Sequence, residues 1–549
     1  MLPFCLLLAS LPETYFRLLN AWTAKVEQRL EAEPNADLKA LEARPNWRHF
    51  PSAVLAAAVL KKVPLATRIG DLLAAESEKG AYQERLDHHR DTYMWLEAYR
   101  LLERDLGEER RARWRRELEK NIAPLAADSA ERVDFPWYNS PYIRTSPNHF
   151  SLWASTVYVA GLVFHKPEWE RLGARILHRF AVEEQTPDGY WGEHSRDGPT
   201  PGYDYLTMTA VAEYWEHSRD PAAMAALRRS TDFHKFYTWP DGTPVDVIND
   251  RNRRWTVSPW GQFGFSHFPD GRRYAEFLTS VFREDRLSLE TLGRMAQNAL
   301  YYHEGPTAGI PQDLPRYWHR MSVPAGIRKT GPWVVALSGI ISTQAVDSQF
   351  YLDRQGNLSV FHEKLGLIVT GANSKRQPEL ATFSEKHLGQ IFHLPMSSRL
   401  QMDEARDRLS LAYHTFFSDL VVPTPEADRL SFAFSIAGKG RPPNEAWLAL
   451  QLCLKAGEAL ETGKGKWVLG TEKLDVPDLG GTVRHHGWTL RVDPTARLSW
   501  PVYPFNPYAN APETEVTYAV GALSVPLRLK GGKGLRPNEQ EIAFTLEVK

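Results

Sequence analysis

Residues 187–215 read PDGYWGEHSRDGPTPGYDYLTMTAVAEYW, and the change of texture inside this stretch decides how the first half of the chain is built. It opens on an Asp188-Gly189 turn and crosses a polar loop carrying Glu193, His194 and Asp197. After Pro199 and Pro201 the apolar residues recur at helical spacing, so a helix is expected whose first turn holds Tyr203 and Tyr205. Loops mounted on a rigid scaffold are where chemistry is usually done. Nine positions (203 − 194) separate His194 from Tyr203, a spacing that can bring an imidazole and a phenol into one cleft. The plain alternative is an aromatic-rich connector.

Working outward, the chain from Tyr15 to about Gly305 is mostly helical in pattern, with Pro, Gly and Asp as breakers. Helices are expected near 12–32, 51–61, 65–78, 83–105, 108–122, 149–164, 167–185, 203–218, 221–236, 270–282 and 287–303. Some are apolar on one face and some nearly all round, which fits an inner and an outer layer. Hairpins recurring every 35–45 residues without a strict repeat motif favour a closed toroid over a solenoid. Three long connections, 123–148, 186–202 and 237–269, interrupt the helices, and long loops in compact domains are usually functional. The third carries an Asp241-Gly242 turn between short strands, then Arg251, Arg253 and Arg254. A solvated charge cluster is the bland reading of those arginines.

Past about Gly305 short alternating runs take over, among them PWVVALSGI, QFYLD, LSVFHE, LGLIVTG, RLSFAFSIA and IAFTLEVK, bounded by Gly, Asn, Asp and Pro. These read as antiparallel strands of a sandwich. The fold class is therefore multidomain, α then β: an N-terminal (α/α) toroid, an incomplete α/α barrel, followed by an antiparallel β-sandwich. Residues 21–315 are assigned to the toroid and 316–549 to the sandwich. Residues 1–20 read equally as an export signal and as a first buried helix, because the apolar run lacks a basic start. The first alternative implies a secreted or periplasmic protein.

The composition narrows the partners. A formal net charge of −1 gives no reason to expect nucleic acid or a membrane surface. Cys5 and Cys453 cannot build a disulfide framework. The 18 Trp and 21 Tyr supply flat faces with polar handles, suited to stacking on sugar rings and equally to a large core. The oligomeric state is not legible.

Asn148-His149 stands at the start of an apolar helix, where Asn148 would serve simply as an N-cap. It also ends a loop, WYNSPYIRTSPNHF, dense in polar aromatics, with Tyr138, Tyr142 and Arg144. An amide (Asn148), imidazoles (His149, His194), a phenol (Tyr203 or Tyr205) and a guanidinium (Arg251 or a neighbour) fit proton abstraction beside a carboxylate. The amide and imidazole would stabilise the enolate-like intermediate, and the phenol would take the proton and return it to a leaving oxygen. No Ser nucleophile elbow or HExxH occurs. His303-Glu304, His319 and His362 lack convincing ligand spacing, so no metal ligand or cofactor is assigned and metal binding stays open.

These residues resemble the two-domain polysaccharide lyases. DGYWGEHSRDGPTPGY is similar to the chondroitin AC/hyaluronate lyase pattern, which implies His194 and Tyr203 as the catalytic pair, Asn148 as the carboxylate-neutralising amide and the Arg251–Arg254 cluster as the cleft arginine. Asn148-His149 and GYDYLTMTAVAEYW resemble alginate lyases and heparinase II/III-like enzymes, whose tyrosine follows by some 55 residues. Tyr203 and Tyr205 lie 54 and 56 residues after His149 (203 − 149, 205 − 149). RMSVPAGIRKTGPWVVALSGI and VFHEKLGLIVTGANSKRQPELATF resemble the start of their sandwich, with His319 where an acidic residue is expected. The resemblance covers about 130–400 and implies β-elimination on a uronic-acid-containing, anionic polysaccharide. Asn148, His149, His194, Tyr203 and Arg251 would be catalytic; Tyr138, Tyr142, Arg144, Trp191, Tyr205 and Arg254 would bind substrate. The competing readings are a glycoside hydrolase using Asp188, Glu193 or Asp197, and a non-catalytic carbohydrate-binding protein.

Overall fold

The structure, a computed structural model, describes residues 10–34, 49–80, 89–134, 146–193, 196, 198–249, 257, 260–341, 349–350, 356–371, 375–439, 445–529 and 539–548. Twelve α-helices lie among them: α1 (Leu11–Ala32), α2 (Phe50–Val59), α3 (Val63–Glu78), α4 (His89–Leu102), α5 (Glu108–Arg132), α6 (Pro147–Phe164), α7 (Pro167–Arg179), α8 (Pro201–Ser218), α9 (Pro221–Phe236), α10 (Gln262–Phe265), α11 (Pro269–Val281) and α12 (Leu289–Tyr301).

Burial divides them into layers as the apolar patterning predicts. In α2 and α6 almost every side chain is buried, whereas α7 buries only Gly173, Ile176 and Leu177. The two layers touch closely where α6 meets α7: a Cβ on Gly161 would sit 2.3 Å from the Glu170 backbone nitrogen, so only glycine fits. Helix α1 starts on a capping box, Ser10 with Glu13. It buries Tyr15, Leu18 and Leu19 in the helical core. That helix packs on α2 and on α12, which joins the beginning of the helical series to its end. Inside, α2 packs on α4, and α4 on α6. The Ser155 hydroxyl and the Tyr158 ring connect α6 to Glu213 and Tyr214 of α8. Gln297 and Arg294 connect α8 to α12. This is an (α/α) toroid.

One helix runs further than expected. The helix expected near 108–122 continues as α5 to Arg132, with Pro124 inside it. Proline removes one ladder bond, and the next turn recovers burial through Leu125, Ala126 and Ser129. The connection expected over 123–148 is shorter by ten residues (132 − 122), nearly three turns.

Among the described residues after 315, all the strands are antiparallel, in sheets of eleven, nine and two strands. Arg429–Gly438 alternates so that Leu430, Phe432, Phe434 and Ile436 are buried, with Phe432 stacked on Phe544 of the neighbouring strand at 5.0 Å. Leu358–His362 is buried at every position. Its Leu358 and Val360 join the sandwich core, and its other face is covered from earlier in the chain. There Trp239 stacks on Phe361 at 5.5 Å. Asp246 accepts hydrogen bonds from Ser359 Oγ at 2.9 Å, the Gly371 amide at 2.8 Å and the Thr370 hydroxyl. Of the run QFYLD, residues 349–350 form a turn and the remainder lies outside the described residues.

The chain forms two compact units. One holds residues up to Trp191, Gly202–Phe233 and Val257–Ile310; the other holds Gly192–Pro201, His234–Thr256 and Pro311–Lys549. Two of the long connections thus contribute to the sandwich unit although they precede it in sequence. The Asp241-Gly242 turn is present, with Gly242 at φ +83° and Trp239 N donating to Thr243 O at 2.8 Å. Its flanks pair as a single bridge, Thr238 with Pro244. Among the described residues no helix is long and apolar enough to cross a membrane.

Candidate functional site

The loop that leads to α8 is braced from both sides. Gly189, at φ +93°, lets the Asp188-Gly189 turn pass the Arg229 carbonyl, which a Cβ would meet at 2.2 Å. The Gln185 amide donates to the carbonyls of Gly189 and Ala226, both at 2.9 Å, and accepts from Arg229 Nε at 2.8 Å. The Trp191 amide donates to Asp204 Oδ1 at 2.6 Å, tying the loop to the first turn of α8. A bridge then pairs Gly192 with Pro199.

Asn148 is not the N-cap of α6. That position belongs to Ser146, and Asn148 stands inside the first turn, buried, donating through Nδ2 to Ser146 Oγ at 3.1 Å. His149 follows it, half-buried. Tyr203 stands in the first turn of α8, half-buried against the helical core. Two contacts advance in the same sense along both helices, Ser155 to Glu213 and then Tyr158 to Tyr214, so α6 and α8 run the same way. Ser155 lies seven residues beyond Asn148 and contacts Glu213, which lies ten beyond Tyr203. At 1.5 Å per residue, walking back roughly 10 Å and 15 Å brings both helix starts to the same end of the toroid. Asn148 and Tyr203 therefore share an end, each at the positive pole of a helix dipole.

Two residues expected to bind substrate are used by the fold instead. Trp191 is 2% exposed, its indole N–H donating to the Phe180 carbonyl at 2.8 Å. Tyr205 is 4% exposed; its hydroxyl meets that of Tyr274 at 2.7 Å and its ring packs edge-on to Phe265. In each the polar atom of an aromatic beside the start of α8 finds a partner in the toroid core. Of the other expected residues, Tyr138, Tyr142, Arg144, His194, Arg251 and Arg254 lie outside the described residues.

Midway along α8 is a buried polar cluster that the sequence reading missed. Glu213 accepts from Ser155, from Gln297 and, at 3.5 Å, from Arg294. Burial pushes its carboxyl up to about 7, against the pull of Arg294. Nearby, Glu97 holds Arg100 at 2.7 Å and the Tyr301 hydroxyl. At the far end of α8 a second group gathers: Glu216 with His267 and His303. Burial alone would raise the Glu216 carboxyl, but the two imidazoles outweigh it and hold it down to about 2. Residues 51 and 36 positions apart (267 − 216, 303 − 267) give no local spacing to notice. His319 and His362, by contrast, are packing groups, stacked on Phe236 at 4.1 Å and set edge-on to Trp333 at 4.7 Å.

No family model matches the sequence, and no curated protein matches it. Solved structures do share its fold. The Streptomyces coelicolor A3 chondroitin AC lyase, solved with chondroitin sulphate, aligns with a TM-score of 0.53 at 11% identity, over 98% of this chain and 80% of its own. A Paenibacillus xanthan lyase aligns with a TM-score of 0.55 at 10% identity, over 98% of this chain and 58% of its own. A heparan sulfate lyase from Pedobacter heparinus gives 0.50 at 10% identity, over 91% and 76%. The toroid followed by antiparallel sheets is thus a fold shared with these lyases, along 91–98% of this chain.

Proposed function

We propose that the chain is a polysaccharide lyase that cleaves a uronic-acid-containing polysaccharide by β-elimination. The observation that carries this reading is the common placement of Asn148 and Tyr203, an amide and a phenol in the first turns of two inner helices that start at one end of the toroid. The fold neighbours support it, being lyases of chondroitin, xanthan and heparan sulfate.

The chemistry needs a carboxylate neutralised and a proton moved. In the proposed sequence Asn148 and His194 hold the substrate carboxylate, with His149 and Arg251 assisting, so that charge arriving there on loss of the C5 proton is stabilised. Tyr203 takes that proton as base. The C5–H electrons form the C4=C5 double bond, the C4–O bond breaks, and the tyrosine returns the proton to the departing glycosidic oxygen. The positive pole of α8 favours the phenolate form of Tyr203. Tyr138, Tyr142, Arg144 and Arg254 are proposed to line the substrate path. An anionic polymer as substrate fits a secreted or periplasmic location.

The test is a screen of alginate, glucuronan, hyaluronan, chondroitin, heparan and ulvan, followed by ultraviolet absorbance and by reducing-end release. At least one polymer is expected to give absorbing, unsaturated ends in step with chain cleavage. Cleavage without absorbance would establish a hydrolase, and binding without cleavage a carbohydrate-binding protein; either outcome refutes the lyase reading.

A further inference from the structure

The group at the C-terminal end of α8 has no part in the proposed elimination. Glu216 lies thirteen residues beyond Tyr203 on the same helix, roughly 20 Å away along its axis. Three donor atoms converge there: Glu216 Oε1, His267 Nε2 and His303 Nε2, all within 4.8 Å of one another. The side chains of Glu216 and His267 are each 4% exposed, and that of His303 is 38% exposed, leaving one side of the group open to water.

We propose that Glu216, His267 and His303 form a binding site for a zinc-class divalent cation, which would clamp the end of α8 to the segments before α11 and after α12. Two imidazole nitrogens and one carboxylate oxygen, with a fourth position open, are a donor set zinc accepts. Bonds of about 2.0–2.1 Å in a tetrahedron space the ligand atoms by roughly 3.3 Å. His267 Nε2 already stands 3.3 Å from Glu216 Oε1. His303 Nε2, at 2.7 Å, needs to open by roughly half an ångström, and it is the exposed member of the three. The His267 nitrogen is also informative by itself. It is buried and approaches Glu216 without making a hydrogen bond, which is how a ligand aimed at a shared central point is placed.

The surroundings hold the three in position. Arg219 binds the other carboxylate oxygen, Glu216 Oε2, at 3.2 Å, leaving Oε1 turned toward the histidines. Arg219 takes a left-handed backbone, φ +58°, directly after α8, and its guanidinium lies over Trp215 at 4.1 Å. Trp215 buttresses both imidazoles edge-on, at 4.3 Å and 5.9 Å. The two histidine segments are joined to each other as well. Ser266 Oγ accepts from the His303 amide at 2.9 Å, and buried Arg272 spans Ser266 O at 2.7 Å and Pro306 O at 2.8 Å. Outer partners of this kind fix ligand orientation at metal sites. The positive charge of Arg219 works against a cation here, and the ionised Glu216 between them offsets it.

The full-length protein, stripped with chelator and dialysed, is to be titrated with zinc and, separately, with cobalt(II) as a spectroscopic probe. One equivalent should bind, with the visible bands of tetrahedral cobalt, and zinc should raise the melting temperature. Glu216→Gln, close to isosteric, and His303→Ala, at a partly exposed position, should each weaken zinc binding by about 100-fold or more and remove the cobalt bands. Absence of stoichiometric zinc binding by the wild-type protein would overturn the proposal. Equal binding by the wild type and both variants would overturn it too, since the metal would then sit elsewhere. Neither outcome depends on lyase activity, so the proposal and the elimination reading fail separately.

Discussion

The two ends of α8 carry opposite electrostatics, and their side chains follow suit. At its start, Tyr203 stands in the positive field of the helix dipole beside the equally placed start of α6 with Asn148, where an anion is favoured. At its finish, carbonyl ends face a group of two imidazoles, where positive charge is favoured. Between them Glu213, wholly buried, links α6, α8 and α12. One helix is therefore electrostatically suited to an anion at one pole and to positive charge at the other, with a buried polar joint that ties it to α6 and α12.

The largest expected effect tests the first pole. Tyr203→Phe deletes one hydroxyl, so turnover followed by ultraviolet absorbance should fall by about 10² or more, the usual scale for a general acid–base group. The circular dichroism spectrum and melting temperature should stay near those of the wild type. Near-normal turnover would remove Tyr203 from the reaction and return the choice to Tyr205.

How much of this contrast was legible beforehand depended on distance along the chain. The first pole is written in two short stretches, Pro187–Trp215 and the loop ending at Asn148-His149, so residue types and spacing are enough to propose it. The toroid and the sheets were legible for the same reason, because helical and strand periods are local signals. The second pole and the buried joint are assembled from α4, α6, α8, α12 and the segment before α11. No periodicity relates Glu216 to His267, or Ser155 to Glu213. Trp191 shows what a local reading leaves out. Its position in the loop suggested a sugar platform, and only the Phe180 carbonyl waiting for its N–H reveals that it belongs to the core.

The joint gives an effect on stability. The Glu213 carboxyl, near 7 in the folded chain and about 4.5 when unfolded, keeps its proton in the native state over that window. The folded state then binds more protons than the unfolded one, so stability falls as pH rises from about 4.5 to 7, by roughly 3 kcal/mol in total. Glu213→Gln keeps the shape and cannot ionise, so this part of the pH dependence should vanish. Melting temperatures from pH 4.5 to 8 for both proteins would show it. Parallel curves would mean that Glu213 is ionised throughout, with Arg294 outweighing burial.

The smallest effect sharpens the first pole from within. Tyr205 stands two residues after Tyr203, about 200° around the helix, and its hydroxyl is joined to that of Tyr274 in the core. Tyr205→Phe should therefore cost about 1 kcal/mol of stability, the net value of one buried hydrogen bond plus the neighbour left short of a partner. Turnover should change little, because the group lost faces Tyr274 and Phe265. Tyr274→Phe removes the same bond from the other side and should cost a similar amount. The double change should then cost less than the two single changes summed, since only one bond is shared between them. If Tyr205→Phe instead abolished turnover while Tyr274→Phe did not, the hydroxyl of Tyr205 would have to leave Tyr274 during the reaction, and the 56-residue spacing from His149 would be the one that chemistry uses.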